Sequence, residues 1–217
     1  MHSFSIDTPR GPAGIRITDS VGPPRSQLVL GHGAGGGPNA ADLELLAQRL
    51  PTRGTTVVRF EQPWRTAGRR VAVPPAQLDE AWLAAIARLE RQPWATDRLF
   101  VGGRSAGARV ACRTADQIGA AGVVCLAFPL HLPGRPERSR LAELLAPTVD
   151  RLVLQGTRDA FGSAAEIRLA LDGAQGITVI DLPGADHGYR LPKTAAGFTA
   201  ADLRTTIVDS VADFVAG

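Results

Sequence analysis

Leu99-Phe100-Val101-Gly102-Gly103-Arg104-Ser105-Ala106-Gly107 is the stretch that decides the fold. An apolar run ends in the pentad Gly103 to Gly107 and passes into small residues from Ala106 to Gln117, which reads as strand, sharp turn, helix. In a G-x-S-x-G turn of this kind the serine takes a strained backbone conformation that lifts Oγ above a sheet. Its flanking glycines let strand and helix cross without Cβ clashes. The pentad alone is a weak signal, because in a chain with 24 glycines an ordinary turn serine can carry it. The rest of the sequence must supply the context.

Working outward, Gln27-Leu28-Val29-Leu30, Thr56 to Phe60, Val123 to Ala127, Leu152-Val153-Leu154 and Ile177 to Ile180 are, like Leu99 to Val101, short runs apolar on both faces. Such runs suit central parallel strands covered on both sides. Between them Leu43, Leu46, Ala47 and Leu50 hold one helical face. Leu78, Trp82, Ala85, Ile86 and Leu89 hold a second, and Leu203, Ile207, Val211, Phe214 and Val215 a third. Phe4 to Asp7 and Gly14 to Ile17 alternate around Pro9-Arg10-Gly11-Pro12, an antiparallel hairpin at a sheet edge. Strands separated by helices imply right-handed crossovers and a doubly wound, mostly parallel α/β sheet, with ligand sites beyond the carboxyl ends of its strands. The length of 217 residues fits a single domain spanning residues 1–217. The Pro- and Arg-rich stretch Leu132 to Arg140, with one short helix around Ser139 to Leu145, leaves room for only a minimal cap.

A second glycine-rich loop, Gly31-His32-Gly33-Ala34-Gly35-Gly36-Gly37, follows the first central strand. It lacks the Lys-Ser/Thr ending of a phosphate-binding loop, and its G-x-G-x-x-G is a lone dinucleotide signal without an acidic ribose partner. Beside a nucleophilic serine, backbone free of side chains serves another purpose, aiming main-chain N–H groups at a developing oxyanion. Ala106 and Ala34 are the expected donors.

Four histidines narrow the choice of base. His2 is terminal, His32 belongs to the glycine-rich loop and His131 follows the strand after the pentad, so His187, in a loop between the last strand and the last helix, is the natural candidate. Asp159, beyond the strand Leu152 to Leu154, is the expected orienting acid. Asp186 competes, but a residue adjacent to the base generally points away from its imidazole. Asp150 precedes its strand and lies at the wrong edge.

Composition excludes several classes. Hydrophobic content is 44% with 21% charged residues, a globular balance, and the net charge is +3. The only lysine is Lys193. Arginine clusters at Arg65, Arg69 and Arg70, and at Arg135, Arg138 and Arg140, have no interleaved aromatics, so no nucleic-acid partner is expected. The amino terminus lacks a basic and then apolar leader, and the longest apolar run, Ala120 to Leu130, is far below the ~20 residues of a membrane span. A cytoplasmic protein without a membrane partner is the expectation. Cys112 and Cys125 fall in a helix and a strand, where two buried free thiols are expected, with no disulfide, metal or cofactor.

With these residues in place the chain resembles the α/β-hydrolase superfamily over nearly its whole length. Gly31 to Gly35, Arg59-Phe60, Gly68-Arg69-Arg70 and Gly102 to Gly107 look like a small lidless group near the dienelactone hydrolases. That group includes the hydrolase-like domain of a subunit of a chromatin acetyltransferase complex, the NSL complex. The resemblance implies the α/β-hydrolase fold and a triad of Ser105, Asp159 and His187, but no particular substrate. Dienelactone hydrolases proper carry a cysteine nucleophile where this chain has Ser105. The expected activity is that of a serine esterase on small, soluble esters. A non-catalytic binding or scaffold protein on the same fold is the alternative.

Overall fold

The computed structural model describes residues 1–92, 95–192 and 197–217. Eight strands form one sheet: β1 (His2–Thr8), β2 (Gly11–Thr18), β3 (Ser26–Gly31), β4 (Thr55–Glu61), β5 (Leu99–Arg104), β6 (Gly122–Leu126), β7 (Arg151–Gly156) and β8 (Ile177–Leu182). Their spatial order is β1-β2-β4-β3-β5-β6-β7-β8. The strands from β4 to β8 run parallel. The expected N-terminal hairpin is present, with Phe4 opposite Ile15, and β2 also pairs antiparallel with β4, which fastens the hairpin to the parallel sheet.

Among the described residues seven α-helices accompany the strands: α1 (Ala41–Arg49), α2 (Pro63–Thr66), α3 (Pro75–Leu89), α4 (Ala106–Thr114), α5 (Leu141–Leu145), α6 (Ala164–Leu171) and α7 (Ala200–Ala216). The runs read as apolar on both faces divide their side chains between two cores, because successive strand residues point to opposite faces. Val29, Val58, Phe60, Val101, Val123, Cys125 and Val153 join Trp82 and Ile86 of α3 and Val110 of α4 on one face. On the other, Leu28, Leu30, Val57, Phe100, Val124, Leu126, Leu152 and Leu154 meet Leu43 and Leu46 of α1 and Ile207 and Val211 of α7. Both faces are therefore covered along the central strands, as a parallel sheet requires, whereas β8, expected from Ile177 to Ile180 to be central, is the far edge of the sheet and only partly buried.

Two helices are additions to the sequence reading. α2 spans four residues, too short for periodicity to register. α6 opens with a capping box, Ser163 accepting from the Glu166 N–H while Glu166 accepts from the Ser163 N–H. α4 ends at Thr114, short of Gln117. α5 is the only helix between β6 and β7, and it docks through Glu143 onto Arg109 and Arg113, one and two turns down α4 from Ser105. It therefore covers the flank of α4.

The topology places the site. From β3 the chain passes to β4 on one side and later to β5 on the other, so the order reverses between β3 and β5. At such a switch point the loops leaving two neighbouring strands diverge and open a crevice at the carboxyl edge. The Gly31 to Gly37 loop leaves β3 there and Ser105 leaves β5.

Candidate active site

Ser105 occupies the turn between β5 and α4 with φ 52° and ψ −109°, a region costly for a residue with a Cβ, on the order of 1–3 kcal/mol. The surroundings hold it there. Its N–H donates to Leu126 O at 2.9 Å and its carbonyl accepts the first α4 bond, from Arg109 N–H at 3.2 Å. The glycines of the pentad are required by backbone on the neighbouring strand, since a Cβ at Gly103 or at Gly107 would lie 2.3 Å from Gly31 O. The two glycine-rich segments of the sequence are thus one packing solution: a side chain at Gly103 or Gly107 would run into the backbone of Gly31.

Above this contact Ser105 Oγ lies 3.0 Å from His187 Nε2, and His187 Nδ1 lies 2.8 Å from Asp159 Oδ2. Asp159 is fully buried and His187 partly exposed, so the charge is enclosed while the imidazole edge faces the opening. Two further donors fix the carboxylate: Phe161 N–H to Oδ1 at 2.8 Å and Gln155 Nε2 to Oδ2 at 3.0 Å. Gln155 is itself buried in β7, and the carbonyls of Phe128 and Gly162 also lie within hydrogen-bond distance of its Nε2, so its two N–H groups are shared among three acceptors. The Phe161 ring covers one face of the imidazole, with centroids 4.2 Å apart and planes inclined by 33°. An acceptor on Nδ1–H leaves Nε2 as a lone pair aimed at the serine hydroxyl.

The competing carboxylate goes elsewhere. Asp186 Oδ1 accepts from Gly188 N–H at 2.7 Å and Arg190 N–H at 2.9 Å, closing the turn that carries His187. Arg104, which sequence reasoning passed over, completes the support. It donates to the main-chain carbonyl of His187 and to Asp42 of α1, and its guanidinium stacks 5.0 Å from the centre of the Tyr189 ring. Tyr189 is buried and anchored, donating to Leu154 O at 2.6 Å and accepting from Ala127 N–H at 2.8 Å. Nothing in the spacing of Arg104 and Asp42 announced this pair; only the fold brings α1 against the pentad.

The other two internal histidines have settled partners. Burial lowers the pKa of His32, and the neutral ring donates through Nδ1 to Gly33 O at 2.9 Å and accepts at Nε2 from Gln62 N–H at 3.1 Å. It braces the glycine-rich loop. His131 donates through Nδ1 to Leu132 O at 2.9 Å, with Nε2 3.4 Å from Glu166.

That loop runs against Ser105, since a Cβ at Gly33 would lie 3.5 Å from both Arg104 O and Ser105 Cβ. Ala34 and Ala106 border one small crevice beside Ser105, and among the described residues neither N–H donates to a protein backbone acceptor. Ala106 also opens α4, whose N-terminal partial positive charge favours an anion there. The thiols of Cys112 and Cys125 are buried and free, with their sulfurs 3.5 Å apart, within S–H···S hydrogen-bond distance. Among the described residues no group of three or more His, Cys, Asp or Glu side chains could hold a metal ion, and no helix is long and apolar enough to cross a membrane.

A family model described as an alpha/beta hydrolase domain matches residues 24–216. Among solved structures, the chain is similar to an alpha-beta serine hydrolase homologue from Coxiella burnetii, with TM-score 0.76 and 21% identity over 97% of each chain. A lidless α/β serine hydrolase from Xanthomonas campestris matches with TM-score 0.72 and 22% identity, over 98% of this chain and 94% of that one. Est1E from Butyrivibrio proteoclasticus matches over 100% of both chains with TM-score 0.77 and 12% identity. At these identities the structural likenesses speak for the fold. The family match spans nearly the whole sequence, and the chain belongs to the alpha/beta hydrolase domain family.

Proposed function

We propose that this protein is a serine hydrolase acting on small, water-soluble carboxylic esters. The observation that carries the reading is the continuous chain from Ser105 Oγ through His187 to the buried Asp159 carboxylate, with 3.0 Å and 2.8 Å separations. A strained serine, a histidine aimed at it and a fully buried acid are costly to assemble, and nucleophilic catalysis is the use for all three together.

In the proposed reaction Ser105 Oγ attacks the ester carbonyl as His187 Nε2 takes its proton. Asp159 holds the imidazole in the required tautomer and stabilises the imidazolium without taking the proton itself. The oxyanion accepts from the N–H groups of Ala34 and Ala106, where loss of one donor in comparable sites costs on the order of 10²–10³ in kcat. Collapse expels the alcohol, which receives the proton from His187. Water, deprotonated by the same imidazole, then cleaves the acyl-enzyme.

The test is ester turnover by Ser105→Ala and by the parent protein, with folding checked by circular dichroism. The variant is expected to lose on the order of 10⁴-fold or more in kcat with its fold retained. Undiminished turnover in a folded variant overturns the assignment.

A further inference from the structure

The crevice that Ala34 and Ala106 border runs inward between the end of β3 and helices α2, α3 and α4, walled also by Gln62, Trp64, Ala72 and Trp82. It has room for about one water-sized group, about 10 Å³. Three buried side-chain polar atoms on these walls have no partner among the described residues: Trp64 Nε1, Trp82 Nε1 and Gln62 Oε1.

None of the three can easily turn to find one. Gln62 is pinned, its Nε2 donating to Leu78 O at 3.2 Å and its main-chain N–H to His32 Nε2 at 3.1 Å, so the acceptor oxygen is the free end of the amide. The Trp64 indole packs edge-on to His32 with centroids 5.6 Å apart, and the Trp82 indole edge-on to Phe60 at 5.3 Å. Two donors and one acceptor left unmet on side chains that wall one crevice are unfavourable unless something polar reaches them.

The chemistry of the site says which part of a substrate that is. The leaving group must lie toward His187 Nε2, which protonates it, and the oxyanion against the two main-chain N–H groups. The remaining substituent on the carbonyl carbon is the acyl chain, and the crevice beyond the oxyanion donors is the space left for it. We propose that this crevice is the inner end of the acyl pocket and that it selects short 2-hydroxyacyl esters, its one water-sized space taking the hydroxyl. The substrate hydroxyl accepts from the indole N–H groups and donates to Gln62 Oε1. This assignment rests on the hydrolase reading of Ser105.

The experiment compares ethyl glycolate with ethyl propanoate, which differ by a hydroxyl in place of a methyl. Each kcat/KM is divided by the ester's own hydroxide-catalysed rate constant, which removes intrinsic reactivity. The corrected ratio is expected to favour glycolate by about tenfold or more. It should fall toward one in Trp64→Phe and in Trp82→Phe, each of which keeps an aromatic ring and deletes a donor. Because the ratio is internal to each protein, a slower variant still reports it, and either variant suffices if the other fails to fold. A corrected ratio near one in the parent protein, meaning that the crevice holds water only, overturns the assignment, as does a ratio unchanged in the folded Phe variants. A fluorophosphonate probe run alongside separates the two claims. If Ser105 is labelled but glycolate is not preferred, the acyl pocket alone falls. If Ser105 stays unlabelled and neither ester is cleaved, the hydrolase reading falls and takes this one with it.

Discussion

Arg104 donates to the main-chain carbonyl of His187, so the residue preceding Ser105 holds the backbone of the histidine whose Nε2 lies 3.0 Å from Ser105 Oγ. The same guanidinium is paired with Asp42, and both side chains are largely withdrawn from water, at 15% and 5% exposed. Removing one partner of such a pair leaves a buried charge uncompensated, at a cost of about 3–5 kcal/mol. Arg104→Ala should therefore lower the urea midpoint clearly and reduce kcat by about ten- to a hundredfold as the His187 turn loosens. In Arg104→Met/Asp42→Leu the stranded charge is gone, so much of the stability should return while kcat stays low. Recovery of both together would mean that the pair serves stability alone.

The two carboxylates near His187 are separated by the same kind of reasoning. Asp159→Asn replaces the acceptor of Nδ1–H and favours the wrong tautomer, so kcat should fall on the order of 10⁴-fold. Asp186→Asn keeps an oxygen able to accept from the Gly188 and Arg190 N–H groups and should cost less than about tenfold. Steady-state kinetics of the two variants decides the matter, and a reversed order would assign the orienting role to Asp186.

His32 gives the fold a predictable acid sensitivity. Its pKa in the folded chain lies below the ordinary 6.5 because burial disfavours the imidazolium, so the unfolded chain takes up a proton that the folded chain refuses. Stability is undiminished by this residue above the unfolded value, falls as pH drops below it, and levels off once pH is under the folded value. Between about pH 7 and about pH 5, urea unfolding of the parent protein should show a steeper loss of stability than His32→Gln. Parallel pH profiles would contradict the account.

A five-residue helix between β6 and β7 and a small crevice together limit the acyl chain. α5 lies on the flank of α4, and the space beside Ala34 and Ala106 takes about one water-sized group, about 10 Å³. Each buried methylene contributes ~0.8 kcal/mol only where a wall receives it. Across 4-nitrophenyl esters of increasing chain length, kcat/KM should peak among the shortest acyl groups. A profile rising through the longest chains would reveal an acyl tunnel incompatible with this crevice.

The fold was legible because its signals are local and redundant. Strand runs such as Leu28-Val29-Leu30 and Val123-Val124-Cys125 carry their two-sided burial in their own composition, and Gly103 and Gly107 announce a close approach. The position of His187 after the last strand singled it out from three other histidines. Partnerships between distant elements escaped the sequence. Arg104 with Asp42, Gln155 with Asp159, and the indoles of Trp64 and Trp82 around one crevice depend on how α1, α2, α3 and β7 pack, which no periodicity encodes. α2 escaped because four residues cannot show a helical repeat, and α6 because its apolar residues, the exposed Leu169 among them, do not keep to one face.

The account stands on Ser105 being a nucleophile activated by His187, and covalent labelling tests that most directly. The folded protein is incubated with a fluorophosphonate, digested and analysed by mass spectrometry, beside Ser105→Ala and His187→Ala. Stoichiometric phosphonylation is predicted on the peptide carrying Ser105, absent in Ser105→Ala and strongly slowed in His187→Ala. A folded parent protein that stays unmodified, or that is modified at another residue with Ser105 untouched, would contradict the account.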